Sequence, residues 1–92
     1  MRHIAVDAAV FSGSVPEAYA RVTQWLIELD DRGVPSREIG LGDDRGPLYC
    51  APRDGDRGLF TDSACLFGSD WTDKIGAHQF EDLWSLAQAA DS

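Results

Sequence analysis

Three Asp-Arg-Gly triplets constrain this chain more than any other feature: Asp31-Arg32-Gly33, Asp44-Arg45-Gly46 and Asp56-Arg57-Gly58. They stand 13 and 12 residues apart. Glycine accepts positive φ, and the short aspartate side chain bonds the backbone just beyond it, so each triplet breaks regular structure. The segments between them are short and rich in Val, Ile, Leu, Thr, Phe, Tyr and Trp. Short apolar runs punctuated this regularly are the pattern of an antiparallel meander.

The elements follow in order. His3 to Val10 alternates, with Ile4, Val6, Ala8 and Val10 on one side, which suits a short strand. Ser12-Gly13-Ser14 and Pro16 interrupt it. Ser14-x-x-Glu17 has the form of a capping box, and Ala18, Val22, Trp25, Leu26 and Leu29 would line a helix face. Thr23, Trp25, Ile27 and Leu29 alternate as a strand does, and the turn spacing favours that reading. The expectation is a short helical turn near Pro16, then a strand over Tyr19 to Leu29.

Further strands are expected over Pro35 to Leu41, over Pro47 to Ala51, and from Gly58 through Leu59-Phe60-Thr61. A five-residue loop, Asp30 to Val34, sets Trp25 opposite Ile39 and Thr23 opposite Leu41, with Ser36 and Glu38 on the other face of their strand. A four-residue loop sets Trp25 against Glu38, so the first register is preferred. A C-terminal helix is expected over Ala77 to Ala89, with Gly76 as N-cap, Gln79 completing a capping box and Ile75 stapled to Phe80. Phe80, Leu83, Trp84 and Ala87 fall at helical spacing and should pack on the sheet. The expected fold is one α+β domain over 1–92: a small antiparallel meander of four or five strands with the C-terminal helix across one face.

Charge bounds the partners. Sixteen acidic residues against eight basic ones give a formal charge of −8, and Lys74 is the single lysine. Such a surface repels nucleic acid and anionic lipid and speeds encounter with basic proteins. No run approaches the ~20 apolar residues of a membrane span, and Met1 to Val10 does not read as a signal peptide. A cytoplasmic location is therefore expected, with Cys50 and Cys65 reduced.

Catalytic and metal-binding patterns are missing from the sequence. His3, His78, Cys50 and Cys65 form no CxxC or HExxH spacing. Asp54-Gly55-Asp56 begins like a calcium loop, but the twelfth position, where an EF-hand carries Glu, is Cys65. No GxSxG, P-loop or GxGxxG occurs. Glu28 and Glu38, across a hairpin, are a weak pair of acids in a chain with sixteen. The expectation is no enzyme, no cofactor and no metal. Trp71 lies in a loop between Asp70 and Asp73, where a solvent-facing indole would make a binding hot spot.

Several short patterns carry a resemblance. They are Trp25…Glu28, Arg37-Glu38-Ile39 with the acidic glycine turn after it, Tyr49-x-Ala51-Pro52, Gly58-x-x-Thr61-Asp62-Ser63 and Ile75…Phe80-Glu81-x-x-Trp84. Over Tyr19 to Trp84 the chain resembles small bacterial proteins associated with the immunity proteins of polymorphic-toxin and contact-inhibition systems. That resemblance implies an inhibitor whose partner is a cognate toxin. Toxin nucleases are commonly basic, and carboxylates at loop tips could imitate phosphates and block such a site. Asp30, Asp31, Asp43, Asp44, Asp54 and Asp56 are the candidates, joined by Asp70, Trp71 and Asp73. The competing expectations are a regulatory module that dimerises through a sheet edge, and a small enzyme or ligand binder using His78 or Cys50.

Overall fold

A computed structural model of the chain describes residues 2–7, 21–44, 46–51, 61, 67–68 and 75–90. Four strands, β1 (Arg2–Asp7), β2 (Gln24–Leu29), β3 (Pro35–Leu41) and β4 (Pro47–Ala51), form one sheet in the order β1-β2-β3-β4. Every neighbouring pair is antiparallel, so this is a meander. One helix, α1 (Ala77–Ala90), packs on the sheet, and the fold is α+β as the spacing of turns and apolar residues implies.

β3 and β4 have the expected bounds. β1 begins at Arg2 and its described part ends at Asp7; the expected continuation to Val10 lies outside the described residues. The long second strand is corrected. Regular pairing starts at Gln24, and Arg21 to Thr23 are turn and irregular structure. Thr23 is exposed, and its hydroxyl donates to the carbonyls of Leu41 (3.3 Å) and Gly42 (3.0 Å). Thr23 N also donates to Leu41 O (2.8 Å), so a single backbone bond reaches past the end of the regular pairing. The helical turn near Pro16 lies outside the described residues. The strand expected from Gly58 does so too, except for Thr61, which sits in a turn.

The β2–β3 register is corrected by one residue, for an identifiable reason. The five-residue loop is as expected: Asp30 N donates to Val34 O (2.9 Å), and Leu29 pairs with Pro35 at its mouth. Ser36 is then an extra residue in β3, a β-bulge. Beyond it Glu28 pairs with Arg37, Ile27 with Glu38, Leu26 with Ile39 and Trp25 with Gly40. Trp25 therefore faces Gly40 rather than Ile39, and Gln24 rather than Thr23 pairs with Leu41. A second irregularity between Gly40 and Leu41 leaves Leu48 unpaired in β4.

Both faces of the sheet are covered. On one lie Ile4, Val6, Trp25, Ile27, Leu29, Tyr49 and Ala51, packed with Val22, Leu48 and Phe67. On the other lie Leu26, Ile39, Leu41 and Cys50, packed against Phe80 and Ala87 of α1, with Ile75, Leu83 and Trp84 partly buried beside them. The helix starts where Phe80 N donates to Gly76 O (3.0 Å). Cys50 is buried in the sheet, as a small apolar side chain would be; Cys65 lies outside the described residues.

Candidate functional site

Directly paired residues of antiparallel strands point to the same side of a sheet. The helix-covered face therefore has three rows: His3, Glu28 and Arg37 at one end; Ala5, Leu26, Ile39 and Cys50 in the middle; Asp7, Gln24 and Leu41 at the other end. Each end offers polar chemistry, and each end does something different.

The His3 end is a clasp between sheet and helix. Arg37 donates from Nε to Glu28 Oε1 (2.8 Å) and from Nη2 to Glu28 Oε2 (2.7 Å), a bidentate pair. The same guanidinium reaches Glu81 on α1, through Nη1 to Oε1 (3.2 Å) and through Nη2 to Oε2. It also lies over the rings of Phe80 (5.0 Å) and Trp84 (4.8 Å). His3 is buried, with Nε2 3.1 Å from Glu28 Oε2 and its ring 4.8 Å from that of Phe80. Ser36, the bulged residue, donates its hydroxyl to Glu28 Oε1 (3.1 Å).

These contacts set the charge states. The hydrogen bonds from Arg37, helped by His3 and Ser36, outweigh burial and hold Glu28 down at about 2. Glu28 and Glu81 in turn hold the Arg37 guanidinium charged, and Arg37 holds Glu81 below the usual carboxylate range. A carboxylate so firmly ionised is a poor proton acceptor near neutrality. The Ser36 hydroxyl and the His3 imidazole both address Glu28. The cluster acts as a joint.

The opposite face holds a second buried carboxylate. Glu38 has no exposed surface; it accepts from the Tyr49 hydroxyl, from Thr61 N (2.8 Å) and from Thr61 Oγ1 (3.3 Å). Trp25 Nε1 donates to the Tyr49 hydroxyl (2.8 Å). Glu28 and Glu38 are thus on opposite faces, and the hairpin does not bring them together as an acid pair.

At the Asp7 end the helix leaves the sheet partly uncovered. A groove of about 430 Å³ runs there, with Leu26 and Leu41 beneath, Ile75 and Leu83 on the helix side and Asp7 and Gln24 at its margin. A groove of about 450 Å³ beside the β3–β4 turn is lined by Arg21, Thr23, Asp43, Asp44 and Leu48.

The described acidic candidates lie in two separate loops. Asp30 and Asp31 lie in the β2–β3 loop, Asp43 and Asp44 in the β3–β4 loop, at opposite ends of the seven-residue β3. Asp30 serves its own loop, because its Oδ1 accepts from Arg32 N (2.8 Å) and Val34 N (2.9 Å), which lowers its affinity for a proton. Asp44 Oδ1 accepts from Gly46 N (2.8 Å). Asp31, Asp43 and Asp44 are exposed. Asp54, Asp56, Asp70, Trp71 and Asp73 lie outside the described residues. His78 is exposed on α1, 3.8 Å from Asp82, and Cys50 is buried in the sheet, so neither lines a shared site with the other.

His3 stands in the sequence as a possible metal ligand, and Arg37 and Tyr49 as parts of the resembling patterns, but the sequence reading places neither them nor Asp7 at a site. For His3 and Asp7 the available signal is the alternation of β1, where they flank Ala5 on the side opposite Ile4 and Val6. Among the described residues no three metal-ligating side chains converge, and no described helix is long and apolar enough to cross a membrane. No protein-family model matches the chain, nor does any curated protein or solved structure.

Proposed function

We propose that this chain is a non-enzymatic inhibitor of the immunity type, binding a basic, nuclease-like bacterial toxin in the cytoplasm. The observation that carries this reading is where the charge goes. The chain has eight more acids than bases, and Arg37 is tied between Glu28 and Glu81. Among the described residues Asp7, Asp31, Asp43, Asp44 and Asp82 are exposed, against exposed Arg21 and Arg32. A negative surface raises the rate of encounter with a positive protein and rejects nucleic acid. The firmly ionised Glu28 supports a binding role over an acid–base one.

The test is direct association with the products of the neighbouring genes, measured at about 20 and 150 mM salt, together with inhibition of any toxic activity they carry. A complex whose association rate falls steeply with salt, as screening over a Debye length requires, supports the reading. Replacing Asp43 and Asp44 with Lys should slow association about tenfold. The absence of any complex at either salt overturns it.

A further inference from the structure

We propose that the groove at the Asp7 end of the sheet is an anchor site for a basic side chain of the protein partner, a lysine or arginine. This rests on the reading of the chain as a binder of a basic protein, and it adds where one contact is made. The groove exists because of sequence. Ala5 pairs with Leu26 on the helix-covered face, and its small side chain leaves open the space that a larger residue would fill. Leu26 and Leu41 form a buried apolar floor, and Ile75 and Leu83 form the facing wall.

Lysine and arginine have apolar stems that lie along such surfaces while the charged head stays at a polar margin. Asp7 supplies the margin and is the one charged side chain among the described residues lining the groove. Its Oδ1 is held by Gln24 Nε2 (3.1 Å), which fixes the carboxylate in place. Its Oδ2 has no partner among the described residues. A neutral or anionic occupant would use the floor but gain nothing from Asp7. The nearby N-terminus of α1 carries about half a positive charge, falling off within a turn, and opposes a cation. The full charge of Asp7, within a chain of net charge −8, outweighs it.

The test uses the whole chain and three probes of matched shape: n-hexylammonium, hexan-1-ol and hexanoate, titrated separately at low salt with amide chemical shifts as readout. Hexylammonium should shift Asp7, Gln24, Leu26 and Leu83 with a Kd on the order of millimolar, the range for so few heavy atoms. Hexan-1-ol should bind about two- to fivefold more weakly, as expected when one exposed ion pair is lost, and hexanoate more weakly still. Asp7→Asn should reduce hexylammonium to the level of hexan-1-ol without changing hexan-1-ol itself. Equal or tighter binding of hexanoate would show that the helix terminus sets the preference, and overturns the inference. Absence of localised shifts overturns it as well, even if a toxin complex forms. Selective uptake of hexylammonium without a toxin complex supports the site and counts against the immunity reading alone.

Discussion

Arg37 sits directly opposite Glu28 on the helix-covered face, holding both carboxylate oxygens at 2.7 and 2.8 Å. From the same position it reaches Glu81 on α1 and lies over two aromatic rings of that helix. One side chain thus couples β2, β3 and α1. Removing one partner of a buried ion pair leaves the other charge desolvated. Arg37→Ala should therefore destabilise the fold by about 2–4 kcal/mol. Arg37→Lys should recover little of that, because an ammonium cannot make the bidentate pair. Urea unfolding of the three proteins checks this, and equal stability of the Lys variant and the parent would contradict it.

Acid should loosen the same joint. Glu28 titrates at about 2 when folded, against an ordinary 4.5. The unfolded chain then binds the proton first as pH falls, so the contribution of Glu28 is complete above 4.5 and is lost between 4.5 and 2. Asp30 and Glu81, both held below their usual range, act in the same direction. The urea midpoint followed from about pH 6 to about pH 2 should fall through that window, and Glu28→Gln should flatten the fall. An unchanged slope in the variant would assign the acid sensitivity elsewhere.

Tyr49 should matter out of proportion to one hydroxyl. That oxygen accepts from Trp25 and donates to the fully buried Glu38. Leaving a buried polar group without one of its partners costs about 1–3 kcal/mol, so Tyr49→Phe should lower stability by about that amount despite keeping the ring. Thermal unfolding measures it. A shift in Tm within error would mean that other contacts of Trp25 and Glu38 carry the network.

Two glycines should resist substitution for different reasons. Gly33 has φ of +85°, and a Cβ there would stand 2.3 Å from Phe67 O, while the Phe67 backbone N donates to Gly33 O. Gly40 has ordinary backbone, but a Cβ would stand 2.2 Å from Tyr49 Cε1. Gly33→Ala should cost more than about 1 kcal/mol through strain and the backbone clash. Gly40→Ala should cost about 1–3 kcal/mol by displacing the Tyr49 ring, and pairing it with Tyr49→Phe should give a non-additive cycle. Additive costs would show that the ring moves freely.

Most of the described elements were legible in the sequence by itself, although β2 begins at Gln24 rather than Tyr19. Turn chemistry at Asp30 to Gly33 and at Asp43 to Gly46 set the two hairpins, and the spacing of Phe80, Leu83, Trp84 and Ala87 set the helix and its buried stripe. Loop length also gave the correct pairing at the hairpin mouth, Leu29 with Pro35. Tertiary structure, through the bulge, decided how the faces of β2 and β3 match each other. A strand has a period of two, so the single extra residue at Ser36 moves everything beyond it to the opposite partner, and no propensity marks a bulge in advance. That shift set Arg37 against Glu28, and Glu38 beneath Tyr49 and Thr61. A charged residue becomes core only when donors far along the chain converge on it, and Tyr49 and Thr61 lie 11 and 23 residues from Glu38. The acidic tips, Asp30 with Asp31 and Asp43 with Asp44, are apart because consecutive turns of a meander lie at opposite ends of the strand between them.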